Sequence, residues 1–247
     1  CVMNFRIVFS TSGRILKQIK QDKMSVGLLF GAPTIVLWLL SYILSDTPGA
    51  FNNWGAYILA LFPLIFMFLI TSIATLRERT SGTLERLMSL PVGKFEFIMG
   101  YALTFSFLAI LQAAFLSYIS FTFFGLEIQG SALLIIVIAV INGLVGTSFG
   151  LAVSSLAKTE LQAVQFMPLT MFPQLLLAGL ITPREMLPSL LRYISDFLPL
   201  SYAVDAVKEA MRYTDMTDNY LNSILILSAF GISFLIAGSL TLKRETP

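Results

Sequence analysis

Residues 77–96 read RERTSGTLERLMSLPVGKFE, a charged island whose residue types suit recognition rather than bond-making. Leu84, Leu87 and Met88 fall at i, i+3 and i+4, the spacing that lines up side chains on one helix face. Such an apolar stripe can enter a groove on a partner. Glu78, Arg79, Glu85 and Arg86 surround it with both signs of charge, which fixes orientation more than it adds affinity. Gly82, followed by Thr83, permits a sharp exit into the island, and Pro91 closes its helix. The alternative is a short loop helix lying on lipid headgroups.

Other chemistry has few candidates. The chain contains no His and a single Cys, which excludes a histidine metal site or proton relay and any intrachain disulfide. The one Gly-Lys pair, Gly93–Lys94, has Met88 and Phe95 where a phosphate-binding loop needs Gly and Ser or Thr, so the chain carries no ATP site of that kind. A net charge of +2 is too small to suggest nucleic-acid binding. The sequence predicts no metal and no cofactor bound by this chain, and no enzyme activity of its own.

The elements that must position the island are apolar. Of the 247 residues, 56% are hydrophobic and 12% charged, and the mean hydropathy is +0.82. Soluble domains carry about 25% charged residues. Six stretches lack any Asp, Glu, Lys or Arg: Ser25–Leu44, Trp54–Leu76, Phe97–Phe124, Ser131–Ala157, Leu161–Thr182 and Tyr220–Leu242. About 20 apolar residues suffice to cross about 30 Å of hydrocarbon as a helix. The runs are continuously apolar rather than alternating, which disfavours a barrel. The expected fold is an all-α integral membrane protein with six spans in a single membrane domain, residues 1–247. No expected span carries a charged or histidine group, so ion coupling lacks its usual carrier.

Twelve of the 16 Lys and Arg residues fall on one side of this topology: Arg6, Arg14, Lys17, Lys20, Lys23, Arg77, Arg79, Arg86, Lys94, Lys158, Lys243 and Arg244. Arg184, Arg192, Lys208 and Arg212 fall on the other. The positive-inside rule then places both termini and the island in the cytoplasm. Before the first span, Phe5, Val8, Phe9, Ile15, Leu16 and Ile19 oppose Arg14, Lys17 and Lys20, as in a basic helix lying on the membrane surface. An unstructured basic leader is the alternative. Cys1 suits a lipoprotein poorly at a cytoplasmic end. Met3 fits a natural start, with Cys1 and Val2 left over from processing or cloning.

Between the last two spans, residues 183–219 are expected outside as a helical hairpin. In Arg184–Leu198, Leu187, Leu190, Leu191, Ile194 and Leu198 line one face and Arg184, Glu185, Arg192, Ser195 and Asp196 the other. Pro199 breaks the pattern. Tyr202–Tyr213 then sets Ala203, Val207, Ala210 and Met211 against Asp205, Lys208, Glu209 and Arg212. The hairpin would dip into the outer leaflet, cap a cavity, or merely pack on the surface. Gly146, Gly150 and Ser154 form a small-residue ridge in the fourth span, and Gly27 and Gly31 another in the first, both suited to close helix packing. Pro33, Pro63, Pro168 and Pro173 are expected to kink their helices. Gln112, Asn142, Gln162, Gln165 and Gln174 would bridge helices or line a path.

The island has the pattern E-x-x-x-G-T-L-E-x-L-x-x-x-P, carried here by Glu78, Gly82, Thr83, Leu84, Glu85, Leu87 and Pro91, with Gly100 opening the third span. With the segment Pro199–Ala206 (PLSYAVDA), this resembles the permease subunits of type-2 ABC exporters, in particular the bacterial drug- and lipid-exporting branch. Leu198 stands where that family commonly has Asn. The resemblance covers the whole chain. It implies that Glu78, Gly82, Thr83, Leu84, Glu85, Leu87, Met88 and Pro91 form a coupling helix against a cytoplasmic ABC ATPase. ATP and Mg would sit on that partner. It further implies a second permease subunit, a translocation path for an amphiphile between the two, an outer hairpin (Leu191, Pro199, Tyr202, Asp205) narrowing the exit, and a bacterial inner-membrane location. A different class remains open: a channel or scaffold whose cytoplasmic loop binds a regulator. An adjacent gene for a soluble ATP-binding cassette would discriminate between the two. A membrane enzyme acting on lipids is disfavoured by the lack of His and of charges within the spans.

Overall fold

The computed structural model describes residues 5–81 and 94–241, and among these residues every regular element is a helix, without strands. In chain order the helices are α1 (Phe5–Gln21), α2 (Lys23–Ile43), α3 (Pro48–Thr80), α4 (Lys94–Thr122), α5 (Ala132–Ser154), α6 (Glu160–Leu177), α7 (Ser189–Asp196), α8 (Pro199–Arg212) and α9 (Asp218–Thr241). Five of them, α2, α3, α4, α5 and α9, are long and apolar enough to cross a membrane. The expected fifth span, Leu161–Thr182, is the exception. Its helix α6 has 18 residues, with Gln162, Gln165, Thr170 and Gln174 among them, and its apolarity falls below that of the other five. It stops at Leu177 because Gly179 adopts φ +87°, the left-handed geometry that ends a helix.

Helix α3 is the axis of the bundle. In its most apolar window 72% of residues are buried, against 17% in α2 and 22% in α9. Its 33 residues extend about 50 Å at 1.5 Å per residue, well beyond the hydrocarbon thickness. α5 packs closely along it. A Cβ placed on Gly146 would lie 2.2 Å from the Leu64 carbonyl oxygen, and one on Gly150 2.6 Å from that of Phe68. The ridge expected at Gly27 and Gly31 does not pack in this way, since nothing lies within 4 Å of either position.

Those two glycines instead bound a π turn in α2, where the Ala32 N–H reaches back to the Gly27 carbonyl. Pro33 lies just beyond. It has no N–H to give the Leu29 carbonyl one turn earlier. Gln112 of α4 takes over that role, donating Nε2–H to the Leu29 carbonyl at 2.8 Å. Asn142 of α5 bridges likewise, to the Ala60 carbonyl at 2.8 Å. Gln162 and Gln165 are exposed.

At one end of the bundle α1 lies along the start of α4. Val8, Ile15 and Ile19 are buried, and the Gly100 Cα approaches Thr11 so closely that a Cβ there would meet the Thr11 Cβ at 2.9 Å. At the other end α8 is inserted rather than laid on the surface. Leu200, Ser201, Ala203, Val204, Ala206, Val207 and Ala210 have no exposed area, packed among α3, α5, α6 and α9.

The segment before α8 departs from the sequence expectation twice. Pro188 splits it into a 3-10 turn, Arg184–Met186, and the short helix α7. One residue of the expected polar face also turns inward: Ser195 is buried, while Leu190, Tyr193, Ile194 and Phe197 are exposed. Ser195 turns inward because its hydroxyl satisfies the Leu177 carbonyl at the end of α6, at 2.9 Å, and meets Ser201 Oγ at 2.9 Å.

Candidate functional site

The last turn of α3, at the start of the island, carries Arg77, Glu78 and Arg79, and each reaches a different neighbour. Successive residues on a helix point about 100° apart, so three in a row address three sectors around the axis. Arg77 Nε and Nη2 donate to the two carboxylate oxygens of Glu160, the first residue of α6, at 2.8 and 3.0 Å. Its Nη1 donates to Asp22 Oδ2 at 2.9 Å. Asp22 caps α2, accepting the backbone N–H of Met24 at 3.0 Å and the Ser25 hydroxyl at 2.8 Å. Those bonds, the Ser25 hydroxyl first, hold the Asp22 carboxyl below its ordinary range against the opposing effect of its burial.

Glu78 faces inward and is 8% exposed. Arg14 of α1 sets Nη1 2.9 Å from Oε1 and donates from Nη2 to Oε2 at 3.0 Å. The Tyr101 hydroxyl of α4 donates to the same Oε2. Arg79 donates from Nη1 to the Ser154 carbonyl in the last turn of α5, at 2.6 Å. That contact places a cation where the helix dipole is negative. A cleft of about 240 Å³ lies beside the triplet, walled by Ile15, Ile19, Ile73 and Ala74 and reaching Asp22 and Glu78.

Of the expected coupling-helix residues, only Glu78 lies among the described residues, and its carboxylate is turned toward α1 and α4. Gly82, Thr83, Leu84, Glu85, Leu87, Met88 and Pro91 lie outside them. Arg14 was expected only on the basic face of the N-terminal helix, and no local pattern marks Tyr101. Asp22 and Glu160 had a legible signal, since each is an acid just before a charge-free run, Asp22 itself suited to a cap and Glu160 following the cap Thr159.

At the opposite end Arg184 organises the hairpin. Its guanidinium pairs with both Asp196 and Asp205, and its Cζ lies 5.5 Å from the centroid of the Tyr202 ring. Tyr202 donates its hydroxyl to the Asp196 carbonyl at 2.8 Å, and Lys208 Nζ stands 3.8 Å from Asp205 Oδ1. Pro199 is buried at the start of α8, and Leu191 is half-buried on α7.

The run Gly146–Gly150 (GTSFG) has the Gly-x-Ser-x-Gly pattern of a nucleophile elbow. It sits within the continuous helix α5 rather than on a strand-to-helix turn, Ser148 donates to the Leu144 carbonyl at 2.8 Å, and the chain has no His to activate it. Its glycines serve helix contact.

The probable multidrug ABC transporter permease YbhR of Escherichia coli (strain K12) is 29% identical over 175 residues, 70% of this chain and 48% of that protein. The inner membrane transport permease YhhJ of the same strain is 26% identical over 201 residues, 80% of this chain and 54% of that protein. ABC transporter G family member 20 of Dictyostelium discoideum is 29% identical over 142 residues, 58% of this chain and 20% of that protein. The chain thus spans about half the length of the bacterial relatives it matches. The ABC-2 type transporter family matches over residues 8–211, from α1 into α8. With that match across most of its length, this multi-pass membrane chain belongs to the ABC-2 type transporter family.

Proposed function

We propose that this chain is the membrane-spanning permease subunit of an ATP-binding-cassette exporter. The observation that carries the reading is the place of the island. It leaves from α3, the most buried of the five long helices, and its first three residues are bonded to α1, α4, α5, α6 and the cap of α2. A push on such a loop has the whole bundle as its load.

In this reading Leu84, Leu87 and Met88 dock into a groove on a cytoplasmic ABC ATPase, with Glu85 at the rim and Gly82, Thr83 and Pro91 setting the helix ends. ATP and Mg are held by that partner, and this chain hydrolyses nothing alone. α6 serves as the fifth of six spans, lined against a second permease subunit, so that its glutamines and prolines meet protein or a water-filled path rather than lipid. Both termini and residues 77–96 are cytoplasmic in a bacterial inner membrane, and residues 183–219 are external. The chain forms one membrane domain, and α7 and α8 narrow the exit for an amphiphilic cargo. Similarity to bacterial transport permeases, one of them a probable multidrug permease, supports the same reading.

The test replaces Leu84 and Leu87 together with Asp and measures recovery of the ATPase that co-purifies with the unaltered chain, at matched membrane levels. Charges without partners in an apolar groove cost several kcal/mol, on the order of 3–5, so recovery should be lost while membrane insertion persists. Full recovery would show that the island is not the docking element. Glu85→Ala should weaken recovery little, since an exposed pair contributes about 0–1 kcal/mol.

A further inference from the structure

We propose that the groove where α5 gives way to α6 binds the headgroup of an anionic phospholipid, with Lys158 as its charged contact. The site lies at the island end of the bundle, apart from the charged triplet of α3, and does not rest on the exporter reading.

The groove encloses about 380 Å³ and is lined by Leu156, Lys158, Gln162, Gln165, Phe166 and Leu169. Its neighbours set its depth. α5 is long and apolar enough to cross a membrane and ends at Ser154, so Lys158 stands just beyond the hydrocarbon, at the level of the headgroups. From there α6 turns back along the bundle. Leu161, Leu169, Phe172 and Leu176 are exposed on one face of it, a stripe about 22 Å long at 1.5 Å per residue. The surface thus divides as a phospholipid does, with a cation and two amides at one end and an apolar track leading away.

The polar end is built to donate. Lys158 alone carries charge among the described lining residues, and no described acid pairs with it. Glu160, two residues on, has both carboxylate oxygens committed to Arg77. Gln162 accepts the Lys158 backbone N–H on its Oε1 at 2.8 Å, so it offers the groove its amide protons. An ammonium beside amide donors suits the oxygens of a phosphodiester. A second copy of the chain is a poorer occupant. The acids at this end whose partners the structure shows, Asp22, Glu78 and Glu160, are each bonded to an arginine already, and none is spare for Lys158. A bound lipid would hold the polar start of α6, the helix less apolar than the five long ones, at the membrane surface.

The test exchanges the purified chain, with any subunits that accompany it, into micelles holding equal amounts of dioleoyl phosphatidylglycerol and dioleoyl phosphatidylethanolamine. Native mass spectrometry counts the lipid retained. The unaltered chain should favour phosphatidylglycerol about fivefold, equivalent to about 1 kcal/mol. Lys158→Gln should abolish the preference and Lys158→Arg should keep it. Arg192→Gln, which removes an exposed cation at the opposite end, should leave it unchanged. Equal losses in Lys158→Gln and Arg192→Gln would mean diffuse charge attraction and overturn the site. An excess of inorganic phosphate should leave the lipid bound; displacement would assign the groove to a free anion and overturn the lipid.

A second measurement leaves Lys158 untouched. Photoreactive benzoylphenylalanine in place of Leu169, which is 68% exposed, should crosslink to phosphatidylglycerol on illumination. Crosslinked pairs of chains without lipid adduct would give the groove to a second copy and overturn the proposal.

Discussion

The Ser131 amide donates to the Ala210 carbonyl at 2.9 Å, tying the start of α5 to the last turn of the inserted helix α8. The approach is possible because residue 130 is glycine: a Cβ there would sit 2.1 Å from that same oxygen. Gly130→Ala must therefore push α8 out of its seat. A loss of about 1–3 kcal/mol is expected, the usual cost of overpacking, read as a lower melting temperature of the purified chain.

The glycines of α5 and α2 should behave oppositely. Gly146→Ala and Gly150→Ala each set a methyl against backbone of α3. They are expected to destabilise by about 1–3 kcal/mol. Gly27→Ala and Gly31→Ala meet open space and remove helix-interior glycines, so they should be neutral or stabilise by about 0.5–1 kcal/mol. Side-by-side thermal melts in one detergent decide this, and equal losses at all four positions would refute it.

Arg184 holds two carboxylates from separate elements and has a side chain only 13% exposed. Arg184→Ala should loosen α7 from α8 at a cost of about 1–3 kcal/mol, that of leaving nearly buried polar groups unpaired. Limited proteolysis of residues 183–198 provides the readout. Cutting should quicken in the variant, and an unchanged rate would mean that Ser195 and Tyr202 alone seat the hairpin.

The Asp22 carboxyl titrates below its ordinary range of about 3.9 in the folded chain, through Ser25 foremost and Arg77 after it. A depressed carboxyl stabilises above its unfolded value and loses that contribution as the pH falls through the folded one. Melting temperature should accordingly drop on acidification below about pH 4, and Asp22→Asn should flatten that drop while keeping a cap oxygen for Met24. The effect is modest, about 0–1 kcal/mol, because Asp22 and Arg77 stand near the surface. An identical acid profile in Asp22→Asn would remove Asp22 from the account.

Much of the helical layout was legible because a charge-free run long enough to cross a membrane has few other uses. The fifth run was read too long, since apolarity alone does not reveal where Gly179 turns left-handed. The hairpin faces were read by the logic of a protein in water, where apolar residues go inward. In α7 Ser195 goes inward because its hydroxyl bonds the Leu177 carbonyl and Ser201, while Leu190 stays exposed and Leu191 half-buried. Glu78 was legible as part of a motif but not as a buried group, because its partners Arg14 and Tyr101 lie on other helices and no local spacing links them.

Pro33, Leu29 and Gln112 leave a mark that can be sought in sequences alone. The proline removes a donor from one helix, and an amide on another helix supplies it. Once residue 33 has an N–H of its own, position 112 is released to become leucine or methionine. Once the amide is lost first, the proline strands a carbonyl in a dry interior. Substitutions at the two positions should thus be ordered in descent, with residue 33 changing before residue 112, a historical asymmetry written by one missing hydrogen.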